Sequence, residues 1–258
     1  MKNPLKEKLN RGEIVIGGFV GLGHPDVTEW IARVGFDWVV IDGEHGPLSF
    51  ETMQQMMQSM NGTNCIPIVR VQWNEPVVIK RVLDLGAYGV LIPWVNTKEE
   101  AENAVRACKY PPDGIRGCGP RRAAWFDPSY VETANKELLV IIQIETERAV
   151  DNIDEILSVK GIDACYIGPR DLSVSMGFGS PPKWDEPTYR EKFDIVLKAA
   201  SRWEKPVGMF TTIDNVGWAI EKGFRLNTID NADVFFIRSA RAALEKARNA
   251  IADKKSGK

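Results

Sequence analysis

Short apolar runs recur along the chain, and longer stretches with the amphipathic spacing of helices separate them. The runs are mostly apolar at consecutive positions, which is typical of strands that are covered on both faces. Eight of these runs predict strands, at residues 14–20, 38–42, 66–71, 89–93, 138–145, 164–168, 206–210 and 226–229. Strands that alternate with helices predict an α/β protein, and eight such units predict a single (β/α)8 TIM barrel.

Local signals mark the helix boundaries between these runs. Thr97 is followed three residues later by Glu100, which is the pattern of a capping box at a helix start. A glycine that ends a helix is expected shortly before three of the strands, at Gly35, Gly86 and Gly223. No low-complexity linker divides the chain, so we expect one barrel domain over residues 1–258 with a disordered tail from about residue 252.

Composition and charge exclude several classes of protein. The net charge of −2 gives no basic surface for nucleic acid or for a membrane. No apolar run reaches the roughly 20 residues of a membrane span, and the polar N-terminus starts no signal region, so we expect a cytoplasmic protein. The four cysteines form no CxxC pair, which argues against a zinc ribbon and a thioredoxin-like site.

Two carboxylates follow neighbouring predicted strands. Glu145 closes the run 138–145, and Asp171 comes just past the run 164–168. Because the carboxyl ends of barrel strands form the active-site face, these oxygen ligands are expected to share one divalent cation, Mg²⁺ or Mn²⁺. Helix capping is the alternative for either residue alone. Gln143 favours a site, because it shares a strand face with Glu145 that is normally apolar inside a barrel.

The second and third predicted strands also end in ionisable residues. Asp42, Glu44 and His45 follow the second strand, and His45 is a group that can accept a proton near neutral pH. The alternative is a turn in which Asp42 bonds backbone amides and the imidazole faces solvent. Arg70 ends the third strand, where it either binds a carboxylate or oxyanion or pairs with a loop acid. His24 is interpreted as a loop residue before a helix.

Other reaction classes lack their residues. No predicted strand ends in a lysine, so a Schiff-base aldolase has no nucleophile. Neither a GxSxG motif nor a P-loop is present. The loops after the seventh and eighth strands are not glycine-rich, which argues against the usual phosphate site of this fold.

Together these residues resemble the HpcH/HpaI family of metal-dependent, class II pyruvate aldolases. The resemblance runs from about residue 3 to about residue 250, and its motifs occur in order at residues 35–38, 42–45, 69–71, 74–76, 80–87, 91–93, 109–117, 143–145 and 167–173. It implies that Glu145 and Asp171 bind Mg²⁺ or Mn²⁺. It also implies that Gln143 and the backbone around Arg170 and Asp171 hold the pyruvate part of the substrate. The apolar residues expected to line the pocket are Phe19 and Phe210.

The same resemblance implies roles in proton transfer and charge stabilisation. Arg70 is expected to stabilise charge on the keto oxygen, His45 to accept the proton of the 4-hydroxyl group, and Asp84 to raise the basicity of His45. Asp42 and Glu44 are expected to contact and orient these groups without binding the substrate themselves. In a barrel, however, Asp84 ends the helix after the third strand, opposite the active site. We therefore predict a homo-oligomer in which sites lie near subunit contacts.

A long stretch rich in Pro, Gly and Arg, residues 110–130, predicts an irregular loop that is functional or forms an interface. Arg121 and Arg122 lie within it. They are expected either to bind a distal carboxylate of the substrate or to pair with acids across an interface, and the sequence does not decide between these roles.

The reaction that the resemblance implies is cleavage of a 4-hydroxy-2-oxo acid to pyruvate and an aldehyde through a metal-stabilised enolate. A sugar-acid-derived or dicarboxylic substrate is expected, and both partners are small molecules. One alternative is a citryl- or malyl-CoA-lyase-like enzyme on the same barrel. Another is a non-catalytic protein that binds a 2-oxo acid.

Overall fold

The computed structural model describes residues 1–255, in which the predicted strands close into one parallel barrel. Each strand pairs with its neighbours in chain order, and β8 pairs with β1. The strands are β1 Val15–Val20, β2 Trp38–Asp42, β3 Ile66–Arg70, β4 Gly89–Ile92, β5 Leu139–Ile144, β6 Ala164–Ile167, β7 Val207–Thr211 and β8 Leu226–Asn231. The predicted (β/α)8 fold is confirmed, with every strand boundary within two residues of its prediction.

The helices lie around the barrel, α1 before β1 and the others after the strands. They are α1 Pro4–Asn10, α2 Pro25–Val34, α3 Phe50–Ser59, α4 Pro76–Asp84, α5 Lys98–Cys108, α6 Arg121–Phe126, α7 Tyr130–Glu137, α8 Glu147–Asp151, α9 Ile153–Leu157, α10 Pro169–Ser175, α11 Pro187–Arg202, α12 Val216–Lys222 and α13 Ala232–Lys255. The stretch 110–130 is therefore not wholly irregular, because α6 lies within it. Within residues 1–255, no helix combines the length and apolar character needed to cross a membrane.

The predicted helix boundaries are present. Thr97 and Glu100 form a reciprocal capping box at the start of α5. The three predicted glycines have the left-handed backbone conformation, with φ angles of 111°, 103° and 102° at Gly35, Gly86 and Gly223. His24 is the N-cap of α2, and its Nδ1 accepts the backbone N–H of Asp26 at 3.2 Å. This structural role agrees with its interpretation as a loop residue.

Alternation along the strands separates an inner core from an outer one. The inner core fills the barrel and includes Val40, Ile68, Ile141 and Tyr166. The intervening residues pack under the helices, among them Val39, Val69, Val140 and Ile142. Helix α1 closes the N-terminal end, since its Leu5 and Leu9 belong to the inner core. The same alternation directs Asp42, Arg70 and Gln143 inward at the C-terminal mouth.

Helix α13 leaves the barrel surface. Its first turns pack against β1 and β8, but residues 236–254 are all exposed. The tail expected to be disordered from about residue 252 is helical through residue 255, because this segment is rich in Ala, Arg and Lys, which favour helix. Residues 256–258 lie outside the described part of the chain. Apolar side chains recur every seven residues along the exposed part, at Ile237, Leu244 and Ile251.

Candidate active site

A cavity of about 730 Å³ opens at the C-terminal mouth of the barrel. Eight of the residues singled out from the sequence line it, namely Phe19, Asp42, His45, Arg70, Gln143, Arg170, Asp171 and Phe210. Glu145 lies directly after β5 with only 1% of its surface exposed. The strand ends therefore bring most of the predicted site residues into one pocket.

Neither predicted metal ligand is a helix cap. The N-cap of α8 is Thr146, whose side chain accepts the backbone N–H of Ala149, and the N-cap of α10 is Gly168. Asp171 lies inside the first turn of α10. The capping alternative that the sequence left open for Glu145 and Asp171 is thus excluded.

Backbone and side-chain groups fix the position of the Glu145 carboxylate. Its Oε1 accepts the backbone N–H of Trp94 at 2.8 Å, and its Oε2 accepts the side-chain amide of Gln143. Trp94 has a φ of 56°, a left-handed conformation that a bulky residue rarely adopts. Gly168 leaves space for this arrangement, because a Cβ there would lie 3.0 Å from both Cβ and Oε2 of Glu145. The carboxylate is therefore tightly confined.

The carboxylates of Glu44, Glu145 and Asp171 lie close enough together for their charges to interact. Burial raises the pKa of Glu145 to about 7, and the charges of Glu44 and Asp171 add to the rise. Burial also raises the pKa of Glu44 to about 7, although Arg70 opposes the shift. Burial disfavours the charged form of these carboxylates, and a bound cation would offset that cost. Hard oxygen donors in such a cluster fit a divalent cation such as Mg²⁺ or Mn²⁺.

The donor set is also an open one. Within residues 1–255, no three or more His, Cys, Asp or Glu side chains are arranged as a complete metal site. Glu145 and Asp171 can supply two positions and leave the others to water and substrate. Gln143 adds a free acceptor beside them, since its buried Oε1 has no hydrogen-bond partner. The residues present therefore fit a catalytic cation better than a structural one.

Arg70 is held in place by acids from β2 and the turn after it. Its Nε and one Nη bond the two Asp42 oxygens at 2.9 and 2.8 Å, and its other Nη lies 3.1 Å from Glu44. Its guanidinium stands 5.0 Å above the Phe19 ring. Burial alone would raise the pKa of Asp42, but the bonds and charge of Arg70 lower it. The pairing with loop acids is thus real, and it fixes the guanidinium at the cavity.

His45 lies at the tip of the turn after β2. Asp42 shapes this turn, because its Oδ1 accepts the backbone N–H groups of Glu44 at 3.2 Å and His45 at 3.3 Å. The imidazole is exposed, yet it lines the cavity, and its Nε2 lies 3.9 Å from Glu44. The turn expected as an alternative is therefore present, and it delivers the imidazole to the pocket.

Aromatic rings form part of the cavity wall. Phe19 packs against Phe210 with ring centroids 5.6 Å apart and against Tyr166 at 6.3 Å. The two phenylalanines lie where the sequence placed pocket-lining apolar groups. They give the polar cavity an apolar side.

Asp84 does not join this group within the chain. It ends α4, where its Oδ1 accepts a 2.6 Å hydrogen bond from Arg116, which also bonds Tyr130. Because α4 runs from the mouth of the barrel towards its base, Asp84 lies at the opposite end from His45 of the same chain. The role predicted for it needs a second subunit.

The stretch that holds α6 lies near this end as well. Arg122 donates to the backbone oxygen of Leu85, which follows α4. In this chain its guanidinium therefore bonds the backbone near the base of the barrel, and it does not line the cavity of about 730 Å³. Arg121 is exposed at the start of α6.

Comparison with known proteins identifies the family. The model of the HpcH/HpaI aldolase/citrate lyase family matches residues 16–224. The chain belongs to this family. It is 45% identical over 190 residues, 72% of either chain, to the 4-hydroxy-2-oxo-heptane-1,7-dioate aldolase of Salmonella dublin. The chain is therefore an enzyme, an aldolase of the lyase class, and the predicted family and enzyme class are confirmed.

Solved structures agree with this assignment. An HpcH/HpaI aldolase/citrate lyase family protein from Burkholderia cenocepacia J2315 superimposes with a TM-score of 0.91 at 32% identity, over 96% of this chain and all of that one. A citrate synthase, SbnG, superimposes with a TM-score of 0.86 at 28% identity, over 95% of this chain and 98% of that one. Proteins with more than one reaction thus share this barrel.

Several cavity residues of the aldolase were not predicted from its sequence. They come from the β6–β8 side of the mouth and from the segment between α10 and α11, and they are Pro181, Pro182, Trp184, Thr212, Asn215 and Asn231. Trp184 anchors its segment by packing against Tyr189 and Phe193. The only sequence signal was the polar character of the eighth strand region, which ends in Asp230 and Asn231.

Proposed function

We propose that this aldolase cleaves a 4-hydroxy-2-oxo acid to pyruvate and an aldehyde, and that it requires a divalent cation, Mg²⁺ or Mn²⁺. The observation that carries the proposal is the placement of Glu145 and Asp171 just after the adjacent strands β5 and β6 at the barrel mouth, with Arg70 at the end of β3. The relative from Salmonella dublin, named for a 4-hydroxy-2-oxo acid, supports the substrate class.

Glu145 and Asp171 would hold the cation. When bound, the cation supplies the positive charge that draws electrons towards the keto end of a 2-oxo acid. Gln143 has a free buried Oε1 beside this place, and the backbone N–H groups of Arg170 and Asp171 lie in the first turn of α10. We assign these groups to orienting the pyruvate half of the substrate.

His45 and Arg70 assist the cleavage of the C3–C4 bond in different ways. His45, exposed at the pocket edge, takes the proton of the 4-hydroxyl group, and the C3–C4 electron pair passes to the pyruvate half as the aldehyde forms. The Arg70 guanidinium, held by Asp42, stabilises the negative charge that develops on the keto oxygen. A proton returned to C3 completes pyruvate.

We further propose that the aldolase is a homo-oligomer. The exposed part of α13 carries Ile237, Leu244 and Ile251 at heptad spacing, with small alanines between them at positions 240 and 247. Such a stripe is stable in water when another copy covers it. Trp30 and Val34 on α2 are also exposed and offer an apolar surface on the barrel. An oligomer also provides the second subunit that Asp84 needs to reach a neighbouring His45.

Release of pyruvate from a 4-hydroxy-2-oxo acid tests the reaction. We expect turnover with Mg²⁺ or Mn²⁺ that stops on chelation with EDTA and returns when the cation is restored. Undiminished turnover after rigorous chelation refutes the proposed cation. Turnover that needs a CoA thioester favours the lyase-like alternative instead.

A further inference from the structure

The loop between β4 and α5, residues 93–97, contacts the proposed cation site without lining the cavity of about 730 Å³. It supplies the Trp94 N–H that bonds Oε1 of Glu145 at 2.8 Å. Trp94 has the left-handed φ of 56°, and a bulky residue keeps such a conformation only where its surroundings hold it. The groups that hold Trp94 therefore also decide how its N–H meets the Glu145 carboxylate.

The side chain of Asn96 bonds the carbonyl end of Trp94. Its Nδ2 donates to the Trp94 carbonyl oxygen at 2.9 Å, and its Oδ1 accepts the hydroxyl of Thr146. Both polar atoms of the amide are thus engaged, and the carbonyl, which can only accept, determines that the amide nitrogen faces it. Thr146 directly follows Glu145 in the chain, so these bonds lead back to the proposed cation ligand.

These contacts form a closed hydrogen-bonded ring. Three hydrogen bonds join the Glu145 carboxylate to Trp94, Trp94 to Asn96, and Asn96 to Thr146, and the chain itself joins Thr146 to Glu145. Because φ and ψ of Trp94 set the angle between its N–H and its C=O, bonds at both groups fix the left-handed conformation. The stacking of the Trp94 ring on Trp73 acts through rotatable side-chain torsions and does not fix the peptide.

The backbone of Asn96 is itself anchored. Its N–H donates to the carboxylate of Glu100, the capping-box residue, at 2.6 Å. Its carbonyl oxygen accepts Nδ2 of Asn152 at 2.8 Å. The preceding side chain, Val95, is fully buried in the outer core. Asn96 is therefore a fixed point from which its amide can hold Trp94.

We propose that Asn96 is a positioning residue for the cation, because it holds the Trp94 N–H that orients the Glu145 carboxylate. The inference rests on the proposed cation site and adds a residue that touches neither cation nor substrate. Removal of a group that orients a metal ligand typically weakens metal binding about 10- to 100-fold. If the ring served only to shape the loop, its loss would lower stability and leave cation affinity unchanged.

Binding of Mn²⁺ alone, measured by electron paramagnetic resonance of the free ion, tests the inference. We expect Asn96→Ala to raise the Kd for Mn²⁺ at least about tenfold, because Trp94 relaxes and its N–H leaves Glu145. Thr146→Val removes the hydroxyl and should raise the Kd in the same way, whereas Thr146→Ser keeps the hydroxyl and should bind as wild type does. Pyruvate methyl-proton exchange in Asn96→Ala should fall at low Mn²⁺ and recover in excess Mn²⁺.

Thr97→Val is the matched control. Thr97 is the N-cap of α5, as Thr146 is the N-cap of α8, but its side chain makes no bond of the ring. Loss of an N-cap lowers stability, so Thr97→Val should lower the Tm as Thr146→Val does while it keeps the wild-type Kd for Mn²⁺. A Kd raised equally in both valine variants overturns the inference, because it ties cation affinity to loop stability alone.

The remaining outcomes separate the positioning role from the cation site beneath it. If wild type binds no Mn²⁺, or if Glu145→Gln binds it as wild type does, the proposed cation site fails and the inference fails with it. If Glu145→Gln loses Mn²⁺ but Asn96→Ala and Thr146→Val keep the wild-type Kd, the positioning role is refuted and the cation site stands. The two variants break bonds on opposite sides of the Asn96 amide, so one folded variant is enough for the test.

Discussion

Replacement of Gly168 by alanine tests how tightly the Glu145 carboxylate is confined. Gly168 has φ −92° and ψ 92°, an extended conformation that alanine adopts without strain. The added Cβ would lie 3.0 Å from both Cβ and Oε2 of Glu145, whereas carbon atoms normally approach to about 3.5–4.0 Å. The glycine is therefore required for space, and the substitution must push the carboxylate aside.

The magnitude follows from the size of the overlap. Glu145 Cβ is fixed to the chain directly after β5, so a displacement of roughly 0.5–1 Å falls on the carboxylate. A misplacement of about 1 Å in an active site can cost about 100-fold in rate, or about 2.7 kcal/mol of barrier. We expect kcat/KM for pyruvate formation to fall about 10- to 100-fold and the apparent cation affinity to weaken.

The fold should survive this change. Overpacking by one methyl group costs about 1–3 kcal/mol, which corresponds to a Tm lower by about 2–6 °C in a domain of this size. Gly217→Ala is the matched control, because a Cβ there meets no atom within 4 Å and the residue lies in helix α12. Wild-type rate and cation affinity in Gly168→Ala refute the reasoning, since they show that Glu145 needs no fixed position.

Three further substitutions test the cation site, the oligomer and the loss of folding stability at acid pH. Glu145→Gln keeps an oxygen for the Trp94 N–H but removes the charge, so pyruvate formation should fall at least about 100-fold while the Tm is retained. Leu244→Asp should dissociate the oligomer in size-exclusion chromatography with light scattering, whereas Asn249→Asp, with the same charge change on another face of α13, should not. Because Arg70 lowers the pKa of folded Asp42, this carboxylate stabilises the fold above its unfolded pKa of about 3.9 and loses that contribution as the pH falls through the folded pKa. Denaturant midpoints of wild type and Asp42→Asn should therefore begin to converge below about pH 5 and continue to do so as the pH falls through the folded pKa of Asp42.

Each of these expectations has a contrary result. Full activity in Glu145→Gln removes this carboxylate from the cation site. An unchanged mass for Leu244→Asp shows that the α13 stripe holds no second copy. A wild-type advantage over Asp42→Asn that stays constant down to about pH 3 shows that Arg70 does not lower the pKa of Asp42.

The barrel could be predicted because its strands are buried on both faces and read as continuous apolar runs. The position of the site followed from the same rule, since the polar residues that end β2, β3 and β5 point inward at one end. Strand alternation alone was therefore enough to bring Asp42, Arg70 and Gln143 together. The structure adds the hydrogen bonds that orient them.

Other features depend on backbone geometry that a residue pattern does not contain. The left-handed conformations of Trp94 and Asp230 aim a backbone N–H at Glu145 and turn Asn231 into the cavity, yet neither position is a glycine that would signal them. The exposure of α13 was also not predictable, because an apolar stripe reads the same on a helix packed against its own barrel and on one that awaits a partner. The pairing of Asp84 with Arg116 joins residues distant in sequence.

Exchange of the pyruvate methyl protons with deuterium oxide, followed by proton NMR, tests the central claim most directly. It needs no aldehyde and depends only on the groups that handle pyruvate. We predict exchange with Mg²⁺ or Mn²⁺ in wild type, loss of exchange on chelation, and no restoration by cation in Glu145→Gln. Exchange that persists at the wild-type rate without any divalent cation contradicts the account.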